Sequence, residues 1–199
     1  MKSSVGMLDI GRRLPVIAGA LTLAMFAVLA LAARAQATET IYWDNYSASP
    51  ASIGFANIDG TGGGALNLSG AEIKDPEGMA FDSANGRIYV ASPGTGVDGQ
   101  IIWVSADGSG AGVLDTGGAP VEDPEGIAVD PHTQTVYWAN TVTGGGSIGY
   151  ASANGGSGGS LNTAGATIDE PYKIALDTTN GRVYWVNLEG VEGEVAYAT

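Results

Sequence analysis

The chain has 199 residues, 32 glycines, no cysteine and a formal net charge of −13. Without cysteine it has neither a disulfide framework nor a lipid-modified cysteine as an anchor. Its acidic balance argues against nucleic acid or an anionic lipid surface as partner.

In chain order, the first element predicted is a leader. Lys2, Arg12 and Arg13 form a basic start, Leu14 to Ala33 carry no charge, and Ala33-Arg34-Ala35 and Ala35-Gln36-Ala37 supply small-residue cleavage sites. That order describes a secretory signal peptide over residues 1–35. An uncleaved N-terminal anchor is the alternative, since the apolar run is long enough for a hydrocarbon core of roughly 30 Å. Either way the remainder is expected to be secreted or extracytoplasmic, with no membrane contact beyond the leader. Four of the eight basic residues (Lys2, Arg12, Arg13, Arg34) and one acid (Asp9) lie in this leader. Residues 36–199 therefore hold 20 acids against 4 bases, a net charge of −16.

From residue 40 onward the sequence repeats. Ile41-Tyr42-Trp43, Ile88-Tyr89-Val90, Val136-Tyr137-Trp138 and Val183-Tyr184-Trp185 are spaced by 47, 48 and 47 residues. Asp82, Asp130 and Asp177 keep the same register, as do Pro76, Pro124 and Pro171, and the turn pairs Asp59-Gly60, Asp107-Gly108 and Asn154-Gly155. A second aromatic series, Phe55, Trp103, Tyr150 and Tyr197, runs in step with them. Periodicity of this length signals a stacked repeat architecture.

Each unit reads as four short strands. In the central unit they are Gly126–Asp130, Thr135–Asn140, Ser147–Ala153 and a weaker one near Ser160–Thr163, rich in β-branched and aromatic residues. Asp-Gly and Asn-Gly pairs between third and fourth strands favour tight hairpins. No stretch after the leader sustains a helical period. Four antiparallel strands in 47 residues predict a β-propeller blade, so the fold class is all-β. The strict recurrence of Trp43, Trp138 and Trp185 marks them as blade core.

Gly126-Ile127-Ala128-Val129-Asp130, Val136-Tyr137-Trp138-Ala139-Asn140, Ile148-x-x-Ala151 and Asn154-Gly155 resemble the YWTD repeat of the LDL-receptor class B family. The segment Pro-x-Gly-Ile-Ala-Val-Asp is similar to that of NHL-type propellers. The resemblance covers residues 40–199 and implies a six-bladed ring in the complete protein, of which about three and a half blades are present. Residues 36–199 are then a partial propeller, truncated at the C-terminus; a native half-ring that dimerises is the alternative. This chain departs from the family pattern two places after the Trp, where Asn45, Ser92, Asn140 and Asn187 replace the family's Asp. In the family that Asp knits neighbouring blades; Asn keeps the acceptor and loses the charge.

The catalytic inventory is thin. His132, the one histidine, sits in a turn, and no second histidine or cysteine completes a nucleophile–base pair. Gly94-x-Gly96-x-x-Gly99 matches the dinucleotide-binding pattern but no helix follows it, and Gly145-x-Ser147-x-Gly149 and Gly155-x-Ser157-x-Gly159 match the nucleophile-elbow pattern as a glycine-rich chain does by accident; all three lie in turns. The acidic turns Asp75-Pro76-Glu77-Gly78 and Asp123-Pro124-Glu125-Gly126 precede the channel-lining strands of their blades. Glu77 and Glu125 are the candidate channel-mouth carboxylates, with Ca²⁺ or Mg²⁺ as the ion they would suit and no other cofactor indicated. In the third copy, Tyr172 stands where those glutamates do. The function expected is an exported module binding a protein or glycan; the alternative is a propeller hydrolase, lactonase or lyase whose key residues lie in further blades.

Overall fold

In the computed structural model, residues 39–46, 50–94, 99–188 and 194–199 are described. The predicted leader lies outside the described residues, as does part of the Gly94–Gly99 pattern. The strands belong to one compact unit, Glu39–Thr199. Among the described residues there is no helix, and none long and apolar enough to cross a membrane.

Fourteen strands follow in order: β1 (Thr40–Asn45), β2 (Ser52–Asn57), β3 (Gly63–Ala65), β4 (Gly78–Asp82), β5 (Arg87–Ser92), β6 (Gln100–Ser105), β7 (Ala111–Val113), β8 (Pro124–Asp130), β9 (Thr135–Asn140), β10 (Ser147–Ser152), β11 (Gly158–Ser160), β12 (Pro171–Asp177), β13 (Arg182–Asn187) and β14 (Val195–Ala198). They pair only with sequence neighbours, giving sheets β1-β2-β3, β4-β5-β6-β7, β8-β9-β10-β11 and β12-β13-β14. Two complete four-stranded antiparallel blades are thus flanked by two three-stranded ones. The register is the same in each: Tyr42 faces Phe55, Tyr89 faces Trp103, Tyr137 faces Tyr150, and Tyr184 faces Tyr197. The fourth strand of the central unit lies slightly earlier than its sequence indicated, at Gly158–Ser160.

The core lies between blades, not within them. One layer joins Ile53 and Leu66 to Ile88, Val90, Ile102 and Val104; the next joins Tyr89, Ala91 and Ile101 to Ile127, Val136 and Trp138; the third joins Ala139 and Ile148 to Val183 and Trp185. Alternate residues of a strand point to opposite faces, so the Tyr-Trp pair straddles its sheet. Trp138 reaches back to the preceding blade, while Tyr89 reaches forward and its hydroxyl donates to the Ala153 carbonyl of the next blade at 2.8 Å. This corrects the expectation for Trp43. It is 41% exposed, whereas Trp138 and Trp185 are 0% and 1% exposed, because no described blade precedes it. The second aromatic series is divided: Phe55 and Trp103 pack partly buried against the core layers, whereas Tyr150 and Tyr197 lie on the blade surface.

Turn chemistry differs from the expectation in one respect. In Asp59-Gly60, Asp107-Gly108 and Asn154-Gly155 only the glycine has positive φ (76°, 74° and 81°). Each glycine N–H donates to the carbonyl three residues earlier, Asn57, Ser105 or Ser152. The Asp or Asn therefore stays in an ordinary conformation, and the hairpin turn is wider than a two-residue one. The repeated aspartates cap the turn between first and second strands. Asp82 Oδ1 accepts from the Ala84 N–H at 2.9 Å, Asp130 Oδ1 from the His132 N–H at 2.8 Å, and Asp177 Oδ1 from the Thr179 N–H at 3.1 Å.

Asn140 is fully buried and makes three bonds. Its Oδ1 accepts from the Glu122 N–H at 2.9 Å, and its Nδ2 donates to the Pro120 carbonyl at 3.2 Å and to Ser147 Oγ at 2.8 Å. Trp138 Nε1 donates to the same Pro120 carbonyl at 3.0 Å. Asn187 and Trp185 repeat this on Asp169 and Thr167. The amide thus uses a donor that a carboxylate lacks, which the expectation of a merely weakened acceptor missed. Its bonds fasten the segment that enters the blade's first strand.

Candidate functional site at the inner strands

The first strands β4, β8 and β12 lie side by side at the inner edges of their blades. Their backbones come close: a Cβ at Gly78 would lie 2.5 Å from the Glu125 carbonyl oxygen, and one at Gly126 would lie 2.5 Å from that of Tyr172. Glycine at these two positions is what allows the approach.

Just before each first strand the chain takes an unusual turn. Asp75, Asp123 and Glu170, each preceding a proline, have φ of 46°, 50° and 50°. Left-handed backbone at a non-glycine residue is sterically costly. The main chain compensates in two copies, where the Asp123 and Glu170 carbonyls accept the Thr141 and Leu188 N–H groups. The following strand then carries a β-bulge. Pro124 pairs with Asn140 and Ile127 with Trp138, leaving Glu125 and Gly126 opposite one residue; Tyr172 and Lys173 form the same bulge on β12. Glu125 therefore lies within its strand and not ahead of it. Bulges of this kind re-aim side chains at a sheet edge.

The predicted Glu77 and Glu125 are brought together. Glu125 has its carboxyl pushed up to about 7, first by burial, then by the negative charge of Glu77; Lys173 pulls the other way and Asp123 adds to the rise. Its Oε2 is shut off from solvent and has no hydrogen-bond partner. Asp44, half-buried on β1, is likewise raised by burial and restrained by Lys173.

Lys173 was not singled out by sequence reasoning. It replaces the glycine of the two preceding copies, as Tyr172 replaces their glutamate. Its Nζ donates to the Glu77 backbone carbonyl at 3.1 Å and lies 4.1 Å from the centroid of the Tyr172 ring. The mouth of the inner strands is thus an acidic set of Asp44, Glu77 and Glu125 with one resident ammonium among them. The signal for it was the departure of the third copy from Glu-Gly to Tyr-Lys.

For a divalent cation the fit is partial. Ca²⁺ takes six to eight oxygens, and Glu77 and Glu125 supply two carboxylates. Among the described residues no group of three or more His, Cys, Asp or Glu side chains is arranged to hold a metal ion. His132 lies apart, exposed in the turn that follows β8.

No protein-family profile matches the chain, and no curated protein matches it either. Solved structures do. A chain of the nidogen/laminin complex superposes with a TM-score of 0.61 at 23% identity, over 76% of this chain and 53% of that one. TolB from Acinetobacter baumannii gives 0.58 at 13% identity, over 79% and 37%. A gluconolactonase, XC5397 from Xanthomonas campestris, gives 0.55 at 14%, over 81% and 53%. The chain spans about half the length of the first of these and less of TolB. Together with the repeated four-stranded antiparallel blades, these likenesses establish the fold as a β-propeller, present as about three and a half blades.

Proposed function

We propose that the chain is an exported, extracytoplasmic propeller module that binds a protein or glycan, and that it belongs to a six-bladed ring of the YWTD kind. The observation that carries this reading is the ammonium of Lys173 at the acidic mouth. A site whose own lysine ties one inner strand to another is built to hold blades together, which leaves the blade faces and loops for recognition. The nidogen/laminin complex supplies a propeller of similar fold whose chain is part of a protein complex, and the gluconolactonase supplies one that is an enzyme. Fold alone does not choose between them.

The test is direct binding. The secreted protein, weighed intact to establish leader cleavage and blade number, is immobilised and screened against neutral and acidic glycans and against purified extracellular proteins. Saturable binding without chemical turnover supports the module. Calcium-dependent hydrolysis of an aldonolactone overturns it.

That second outcome belongs to the enzyme reading, which one observation favours. Glu125, with a carboxyl raised to about 7 beside a second carboxylate, has the character of a general acid–base or of half a Ca²⁺ or Mg²⁺ site. On this reading the remaining ligands come from further blades. Turnover abolished by Glu125→Gln would establish it, and turnover indifferent to that change would remove it.

A further inference from the structure

The blades are not equivalent on their outer surfaces. In the second blade the ring of Trp103 is covered by Arg87, whose guanidinium carbon lies 4.4 Å from the ring centroid. In the fourth, Arg182 lies 5.1 Å from the ring of Tyr197. Both arginines open the second strand of their blade, two residues before the repeated tyrosine. In the third blade that position is Thr135, directly opposite Ser152, and among the described residues no cation lies over the ring of Tyr150.

Tyr150 keeps the rest of its setting. It pairs with Tyr137 at a centroid distance of 6.3 Å and with Gly159 on the outer strand, where a Cβ would meet its hydroxyl at 3.2 Å. Tyr150 is 36% exposed and borders an open depression of about 500 Å³ lined by Thr133, Gln134, Thr135, Asn154 and Ser157. None of these is charged, on a chain whose net charge is −13. The floor is fixed: Gln134 is held at φ 54°, accepts from Asn85 of the neighbouring blade and donates to the Pro131 carbonyl at 2.8 Å. The Asn154 amide and the Ser157 hydroxyl are exposed and make no side-chain hydrogen bond within the described protein, so both donors and acceptors remain open beside the ring.

We infer that this depression on the third blade binds a neutral saccharide, with one sugar ring stacked on Tyr150 and its hydroxyls taken by Asn154 and Ser157. A sugar presents an apolar C–H face and a rim of hydroxyls, which is the complement of an uncapped aromatic ring set among neutral polar groups. An anionic glycan gains nothing from this lining and is repelled by the chain as a whole. The inference rests on the binding-module reading and gives it a ligand class.

Thr135→Arg provides the test, because it restores the arrangement of the neighbouring blades and so places its guanidinium over Tyr150 without asking for a new fold. Neutral gluco-, xylo- and manno-oligosaccharides are screened against the intact chain by saturation-transfer NMR, with a sulfated heparin oligosaccharide as the charged control. A neutral oligosaccharide should bind, and both Thr135→Arg and Tyr150→Ala should weaken it about tenfold or more, with the melting temperature of Thr135→Arg unchanged or raised. Binding untouched by Thr135→Arg, or stronger for the sulfated control, overturns the site. Transfer to none of the saccharides while an extracellular protein binds overturns this inference alone; failure of both overturns the module as well.

Discussion

Lys173 Nζ and the backbone carbonyl of Glu77 meet at 3.1 Å although 96 residues separate them. The contact skips a blade: Glu77 precedes β4, Lys173 lies on β12, and Glu125 of β8 stands between them. Its partner Tyr172 makes the third copy a compensated change, in which the lost glutamate and the lost glycine are replaced by a ring and the cation that sits on it. The first consequence is a pH dependence. Glu125 is raised from 4.5 to about 7 by burial and by Glu77. The folded state therefore binds a proton more readily than the unfolded chain, and stability is greatest below pH 4.5 for this group and is lost as pH rises through 7. With the carboxyl only partly buried, the effect is discounted to about 1–2 kcal/mol. The melting temperature should fall between pH 5 and pH 8 in the intact chain. Glu125→Gln should flatten that fall, and Lys173→Met should steepen it by removing the charge that holds Glu125 down. A pH-independent melting temperature across this range would contradict the arrangement.

Asn140→Asp tests the other departure from the family pattern. The aspartate would keep the Glu122 N–H but set a carboxylate against the Pro120 carbonyl, in a fully buried place. We expect a loss of about 1–3 kcal/mol at pH 7 in urea unfolding. The deficit should shrink near pH 4, where a protonated carboxyl again donates. A variant as stable as the parent at both pH values would show that the amide donor is dispensable.

Much of this architecture is legible in the sequence because a stacked repeat writes each structural need once per period. The spacing of Tyr89, Tyr137 and Tyr184 gives the blades, and Asp82, Asp130 and Asp177 mark their turns. What the period conceals is the neighbour. Trp43 and Trp138 carry the same motif, yet one is exposed and the other buried, because burial depends on the preceding blade and not on the strand itself. The site was half legible for the same reason. Glu77 and Glu125 announce themselves as copies, whereas Lys173 is visible only as a break in the pattern, and its reach back to Glu77 requires the inner strands to be seen side by side.

The tryptophan difference predicts unequal responses to one substitution. Gly149 lies beneath the indole of Trp138, and Gly54 beneath that of Trp43, so that a Cβ at either would overlap the ring. Trp138 is enclosed and tied to Pro120, and has nowhere to move; Trp43 is 41% exposed, with no blade before it among the described residues. Gly149→Ala should cost about 3 kcal/mol and Gly54→Ala under about 1 kcal/mol. Equal losses in chemical denaturation would mean that the exposed indole is as confined as the buried one.

The turn aspartates should also separate by burial. Asp82 is fully enclosed and accepts from the Ala84 N–H at 2.9 Å and from Asn85 Nδ2 at 2.9 Å, so its removal leaves an enclosed gap and loosens Asn85, whose Nδ2 also donates to Gln134 Oε1 of the next blade. Asp177 makes the same set of contacts, with its Oδ2 taking Asn180 Nδ2 at 2.6 Å, but water can replace it. Asp82→Ala should destabilise the chain by about 2–3 kcal/mol, and Asp177→Ala by clearly less. If the two losses match, the cap acts through turn geometry alone, and the burial of Asp82 contributes nothing beyond it.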